Sequence, residues 1–225
     1  FMESKRVILI YPISVWYWSA PPPGIGYIAS SLEGIGCNVK FIDCQITPHY
    51  KKLILSLLTD YPVVGISVNA GNVSSALDIA RAIRNQSSST RIIMGGPHAT
   101  AVYDILIPEY ADIVVRGEGE DTVIELFQTD DLAKVKGIAY WDGSLKVNPP
   151  RPYIEDLDRL RFPAWHLYDL KKYDLEQKYP FVLPKHTPDS VEPFDRPWDD
   201  FDLQHFWKYR EEFLIGGKKS TAFKR

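Results

Sequence analysis

The chain has 225 residues, 45% of them hydrophobic and 24% charged, with a formal net charge of −3. Such a chain can bury one core with material left for an appendage, and it lacks the positive surplus that neutralises nucleic-acid phosphates. No apolar run approaches the roughly 20 residues of a membrane helix, and Phe1-Met2-Glu3-Ser4-Lys5-Arg6 carries no signal-peptide apolar stretch, so neither a membrane nor a nucleic acid is expected as partner and the expected address is cytoplasmic.

Strand-like and helix-like patterns alternate from the start. Arg6 to Tyr11 (RVILIY) is a short β-branched run, and Ile25, Ile28, Ala29, Leu32 and Ile35 then recur at helical spacing up to Gly36. Asn38 to Ile42 predicts a second strand, Lys51 to Thr59 a second helix and Val63 to Val68 a third strand. Val73, Ala76, Leu77, Ala80 and Ile83 form the apolar stripe of a third helix. Arg91 to Met94 and Asp112 to Arg116 supply two more strands, with helices near Ala101 to Glu109 and Glu120 to Gln128. Alternation of this kind implies right-handed βαβ crossovers around a parallel sheet. The expected fold is α/β, a flavodoxin-like (Rossmann-type) three-layer sandwich whose five-stranded parallel sheet runs in the order 2-1-3-4-5. A hairpin around Asp142-Gly143, within Ile138 to Val147, extends or caps it.

Character changes after Asn148. Residues 1–148 read as one domain, and 149–225 as a proline-rich, irregular carboxy-terminal arm with short helices, opened by Pro149-Pro150-Arg151-Pro152. Within it, Leu203, Phe206, Trp207, Arg210 and Leu214 share a helical face. Cys37 and Cys44 have neither zinc-site nor iron–sulfur spacing and read as ordinary thiols.

Ligands of open parallel sheets sit at the carboxyl ends of the strands, where the order reverses. This chain places small residues there: Ser67-Val68-Asn69-Ala70-Gly71-Asn72 after the third strand, Gly95-Gly96-Pro97-His98 after the fourth, and Gly117-Glu118-Gly119-Glu120 after the fifth. The first strand leads instead into Pro12, Ser14 and the aromatic Trp16-Tyr17-Trp18. A phosphotransfer receiver would need an acidic pair after strand one and an aspartate after strand three, whereas the chain offers Pro12-Ile13-Ser14 and Asn69. A dinucleotide fingerprint is also missing, since Gly24 and Gly26 stand behind three prolines. His98 reads first as a loop histidine bonded to backbone and second as a ligand. Glu118 and Glu120 are either a paired acid site or charges favouring the first turn of a helix. Trp16, Tyr17 and Trp18 either contact a ligand or cover an edge for a partner.

Taken in order, the blocks PPPGIGYIASSLEGIGCNVKFIDC, VVGISVNAGN, RIIMGGPHATA, ADIVVRGEGEDTVIEL and KGIAYWDGSLKVNPPRPYIEDLDRLRFPA resemble the cobalamin-binding domain at the front of many cobalamin-dependent radical S-adenosylmethionine enzymes. The resemblance spans about residues 6 to 170. It implies a base-off cobalamin with its nucleotide tail threaded between sheet and helices, where Ser67, Ala70, Gly71, Gly95 and Gly96 leave room and the aromatic loop meets the corrin. It makes Pro12, Ser14, Trp16, Ser67, Val68, Asn69, Ala70, Asn72, Gly95, Gly96, Pro97, His98, Gly117, Glu118 and Gly119 the expected cofactor-binding residues. Residues 12 to 26 contain no histidine, so the resemblance implies a lower cobalt face that is water-bound or vacant, with cobalt held by the corrin and no protein metal ligand.

The radical enzymes of this kind follow the domain with a barrel carrying CxxxCxxC, and no cysteine follows Cys44 here. No iron–sulfur cluster and no radical cleavage of S-adenosylmethionine are therefore expected of this chain alone. Three readings stay open: a carrier that presents a methyl group, a subunit or fragment working with a cluster-bearing barrel, and a regulatory domain that kept the fold and lost the cofactor.

Overall fold

The computed structural model describes residues 5–14 and 20–173. The chain alternates as anticipated: β1 (Arg6–Tyr11), α1 (Pro23–Gly34), β2 (Asn38–Asp43), α2 (Tyr50–Leu57), β3 (Val63–Ser67), α3 (Val73–Gln86), β4 (Arg91–Gly95), α4 (Pro97–Ala101), α5 (Tyr103–Leu106), β5 (Ile113–Val115), α6 (Glu120–Gln128), β6 (Ile138–Trp141) and β7 (Leu145–Val147). The strands form one sheet in the order β2-β1-β3-β4-β5-β6-β7. The first five are parallel in the expected 2-1-3-4-5 order. The sheet has seven strands rather than five, which corrects the expectation. The hairpin does not stand apart: Ile138, Ala139 and Tyr140 pair antiparallel with β5, and β7 pairs with β6. With only three residues, β5 would otherwise leave a short bare edge beside buried core, and the hairpin covers it.

Two apolar layers flank the sheet. On one face Ile8, Ile10, Val64, Ile66, Ile92 and Met94 pack against Ile54 of α2 and Ala76, Ile79, Ala80 and Ile83 of α3. On the other, Val7, Leu9, Val63, Ile93, Ile113 and Val115 pack against Ile25, Ala29 and Leu32 of α1 and Val123, Leu126 and Phe127 of α6. Strand alternation assigns each side chain its layer, which is why these runs are apolar throughout. Pro23 opens α1, where a missing N–H costs nothing, and Gly36 at φ +81° ends it.

The predicted helix over 101–109 is replaced by two shorter pieces. α4 begins earlier, directly after Gly96, and Val102 (φ −130°, ψ 28°) separates it from α5. Both cysteines are free and buried, as their spacing suggests. Among the described residues no helix is long and apolar enough to cross a membrane.

Residues 149–173 are the described part of the expected arm, and they are ordered against the body without regular secondary structure beyond three single 3-10 turns. The segment crosses α6 first: Arg151 donates to Thr122 (2.9 Å) and pairs with Glu125, the Ile154 N–H donates to Glu118 (2.6 Å), and Arg159 holds Asp121 (3.0 Å). It then lies along α1, where the Ala164 N–H donates to the Gly26 carbonyl (3.0 Å) and His166 meets Glu33 (3.0 Å). It finishes at the end of β2, with the Tyr173 hydroxyl donating to Asp43 (2.8 Å). Trp16 and the expected helix at 203–214 lie outside the described residues.

Candidate functional site

The switch point lies between β1 and β3, whose chains leave the sheet in opposite lateral directions. The register Leu9↔Gly65, Gly65↔Ile93, Ser67↔Gly95 and Gly95↔Val115 sets Gly65, Ser67 and Gly95 side by side on the face beneath α1 and α6. All three sit on the two central strands, yet none is buried, whereas their neighbours Val64, Ile66 and Met94 on the opposite face are at most 2% exposed. The sheet is thus fully packed on its α2/α3 face and open near the carboxyl end of its α1/α6 face. A glycine inside a strand marks close approach by another group. A Cβ on Gly95 would make only ordinary contacts, at 3.6 Å from Val115, so a small volume there is free.

Gly96 has a different job. Its φ is +107°, and a Cβ there would stand 2.7 Å from the Val68 carbonyl oxygen. Around that contact the Val68 N–H donates to Gly95 (2.7 Å) and the Val68 carbonyl accepts from His98 N–H (3.2 Å). Gly96 therefore locks the exits of β3 and β4 together through bare backbone. The Val68 side chain faces the α2/α3 core, so only its backbone reaches the strand ends.

The loop after β3 is self-braced. Asn72 is buried, donates to the Ser67 carbonyl (3.1 Å) and accepts from Asn69 N–H (2.8 Å). Asn69 accepts from Gly71 N–H (2.9 Å) and donates to the Tyr11 hydroxyl (3.3 Å), which ties the two sides of the switch point. Burial raises the Tyr11 pKa, so its hydroxyl stays protonated and keeps a donor for an incoming acceptor. Pro12 and Ser14 are buried at the start of the first loop, Ala70 is half-buried, and Pro97 is exposed as the first residue of α4.

His98 and Arg116 each bury one nitrogen, Nε2 and Nε respectively, with no hydrogen-bond partner among the described residues. Buried polar atoms seldom stay unmatched, so these two nitrogens have hydrogen-bonding capacity to spare. Burial lowers the His98 pKa, which leaves the ring neutral at pH 7. After β5, Gly117 (φ +77°) is exposed and its N–H donates to Thr100 (3.0 Å). Gly119 lets α6 approach α1, since a Cβ would stand 2.8 Å from Ile28 Cδ1. Glu120 charges the first turn of α6, whereas Glu118 accepts from the Ile154 N–H of the arm.

Sequence reading passed over three contributors. Gly65 interrupts a β-branched run, and that interruption was the available signal. Tyr11 carries no motif at all. Asp43, the last residue of β2, is engaged by Gln45 N–H (2.9 Å) and Tyr173. Burial raises its pKa, partly offset by those donors.

Residues 16–127 match the family model described as the B12 binding domain. An uncharacterized methyltransferase of Pyrococcus horikoshii is 30% identical over 194 residues, 76% of this chain and 40% of the relative. The anaerobic magnesium-protoporphyrin IX monomethyl ester cyclase of Synechocystis is 34% identical over 164 residues, 68% of this chain and 33% of the relative. The hopanoid C-3 methylase of Methylococcus capsulatus is 28% identical over 209 residues, 86% of this chain and 38% of the methylase. The chain thus spans at most two fifths of the length of these relatives. In fold it is similar to the radical S-adenosylmethionine methyltransferase TsrM of Kitasatospora setae, a structure with cobalamin and an iron–sulfur cluster bound. There the TM-score is 0.55 at 19% identity, over 72% of this chain and 32% of that one.

Proposed function

With residues 16–127 belonging to the B12-binding domain family, we propose that this chain holds cobalamin base-off, its nucleotide tail lying in the opening between the sheet and the α1/α6 layer. The observation that carries this reading is the partly exposed pair Ser67 and Gly95 at the carboxyl ends of central strands that are otherwise sealed. Gly65 is kept small by Leu9, whose Cδ2 would stand 2.7 Å from an added Cβ, but no such neighbour accounts for Gly95. Ser67 would supply a hydroxyl to the tail, and Gly95 the volume. Tyr11, Asn69 and His98 offer polar atoms at the rim for the cofactor's amide groups. The first loop, with Trp16, would lie against the corrin.

When bound, cobalamin supplies a cobalt centre that accepts and donates a methyl group. The chain's own contribution is to bind, orient and shield. Residues 12 to 26 hold no histidine, so this loop would bind the cofactor without offering it an imidazole. The methyl group would pass to or from a cluster-bearing radical S-adenosylmethionine domain, on this polypeptide or another. The relatives that extend beyond the region matched here motivate that partner.

The test is a visible spectrum after incubation with hydroxocobalamin, read for retained corrin and base-off character. Gly95→Leu fills the free volume and is expected to abolish uptake while circular dichroism and melting stay near wild type. Gly96→Leu is the wrong probe, because it strains the Val68 contact and threatens the fold as well. Retained uptake in Gly95→Leu would refute the placement of the tail. A wild type that takes up no corrin would favour the regulatory domain that has lost its cofactor.

A further inference from the structure

We infer that residues 151–173 are a strap that gates the cofactor opening, so that the tail enters and leaves only when this strap lifts from α1 and α6. The inference rests on the cobalamin reading above and adds a moving part to it.

The two helices that cover the opening are the two that the strap crosses. Nothing on the α2/α3 side is bridged by it among the contacts described. The crossing is built for close contact: a Cβ on Gly26 would fall 2.9 Å from both Pro163 Cβ and the Tyr168 hydroxyl. Glycine inside α1 costs helix stability, about 1 kcal/mol against alanine, so its presence is explained by what lies on top of it. The Ala164 N–H donates to the carbonyl of buried Gly26, and the Tyr168 hydroxyl donates to Pro22 just ahead of α1 (2.8 Å). Pro22 is the last residue of the first loop before the helix. The final link, Tyr173 to Asp43, lies at the carboxyl edge of β2 next to Tyr11. The strap therefore fastens the roof of the opening at its outer surface and at its rim.

These fastenings suit a latch better than a core. The outer ones are ion pairs, Arg159–Asp121 and His166–Glu33, that keep substantial exposure, while Ala164, Tyr168 and Tyr173 are the buried points of contact. Single links of that kind contribute little individually and release independently of the sheet.

Two variants test this in the full chain. Gly26→Ala improves the helix yet pushes the strap away, and Tyr173→Phe removes the terminal link only. Hydrogen exchange at Ala164, read without any corrin, should accelerate in Gly26→Ala while α3 amides stay unchanged. Loaded with hydroxocobalamin, both variants should release and take up the corrin faster, by roughly tenfold in Gly26→Ala, the change that corresponds to ~1.4 kcal/mol. Affinity should move much less than either rate. If the wild type loads and both variants exchange corrin at its rates, the strap is only a brace and the inference is overturned. If Ala164 exchanges like free peptide in the wild type, the strap is not docked and the inference is overturned without reference to cofactor. A wild type that never loads overturns it together with the cobalamin reading, and is recognised by the unmodified protein failing first.

Discussion

Single residues divide here between those that leave space and those that bring backbone together. Gly95 and Gly96 are adjacent and identical, yet a methyl group fits at the first and collides with the Val68 carbonyl at the second. Sequence marks the pair as special without saying which of the two faces a ligand, because that depends on φ and on register. His98 adds a pH signature. Burial lowers its pKa below the unfolded value of about 6.5, so the unfolded chain binds the extra proton first as pH falls. Its contribution to stability is thus complete above pH ~6.5 and is lost as pH drops toward the lowered folded value. Urea midpoints at pH 7.5 and pH 5 should differ less in His98→Gln than in wild type. Asp43 works in the opposite sense: with its pKa raised, it favours folding most at low pH, and that part fades as pH climbs through the folded value. An equal pH response in wild type and His98→Gln would show that the ring is solvated rather than buried.

Elements were legible wherever one period dominated. The β-branched runs and the α3 stripe follow directly from strands buried on both faces and a helix buried on one. The split between α4 and α5 was not legible, since the apolar positions continue across Val102 and only its backbone breaks. The hairpin was visible as a hairpin, but its union with β5 required the neighbour's edge to be known. That union is anchored by Asn148, whose amide donates to the Leu132 (2.6 Å) and Val135 (2.7 Å) carbonyls, while its own carbonyl accepts from Arg116 (2.8 Å). Asn148→Ala removes two donors and leaves two carbonyls without them, which should cost about 2 kcal/mol. Chemical denaturation measures that loss directly, and a midpoint unchanged from wild type would contradict the anchoring role.

For the molecule as a whole, the arm was the least readable part. Its contacts pair positions about 25 to 145 apart in sequence, and no periodicity announces a segment that adapts to a surface already made. The resemblance stated from ordered blocks reached residue 170 and so included it, without revealing its course over α1 and α6. A ligand that binds only the folded form raises stability by about 2.7 kcal/mol at a hundredfold excess over its Kd. Hydroxocobalamin should therefore raise the melting temperature by several degrees, and the shift should shrink in Gly95→Leu. A melting temperature indifferent to corrin would argue for a domain that no longer takes it.

The Tyr173–Asp43 bond has a topological consequence. It returns the backbone to the sheet rim a single strand away from Tyr11, on the side of the opening and not its far side. If cobalamin sits at that edge as proposed, the strap's last link and the cofactor share one rim, and disturbing either should be felt by the other.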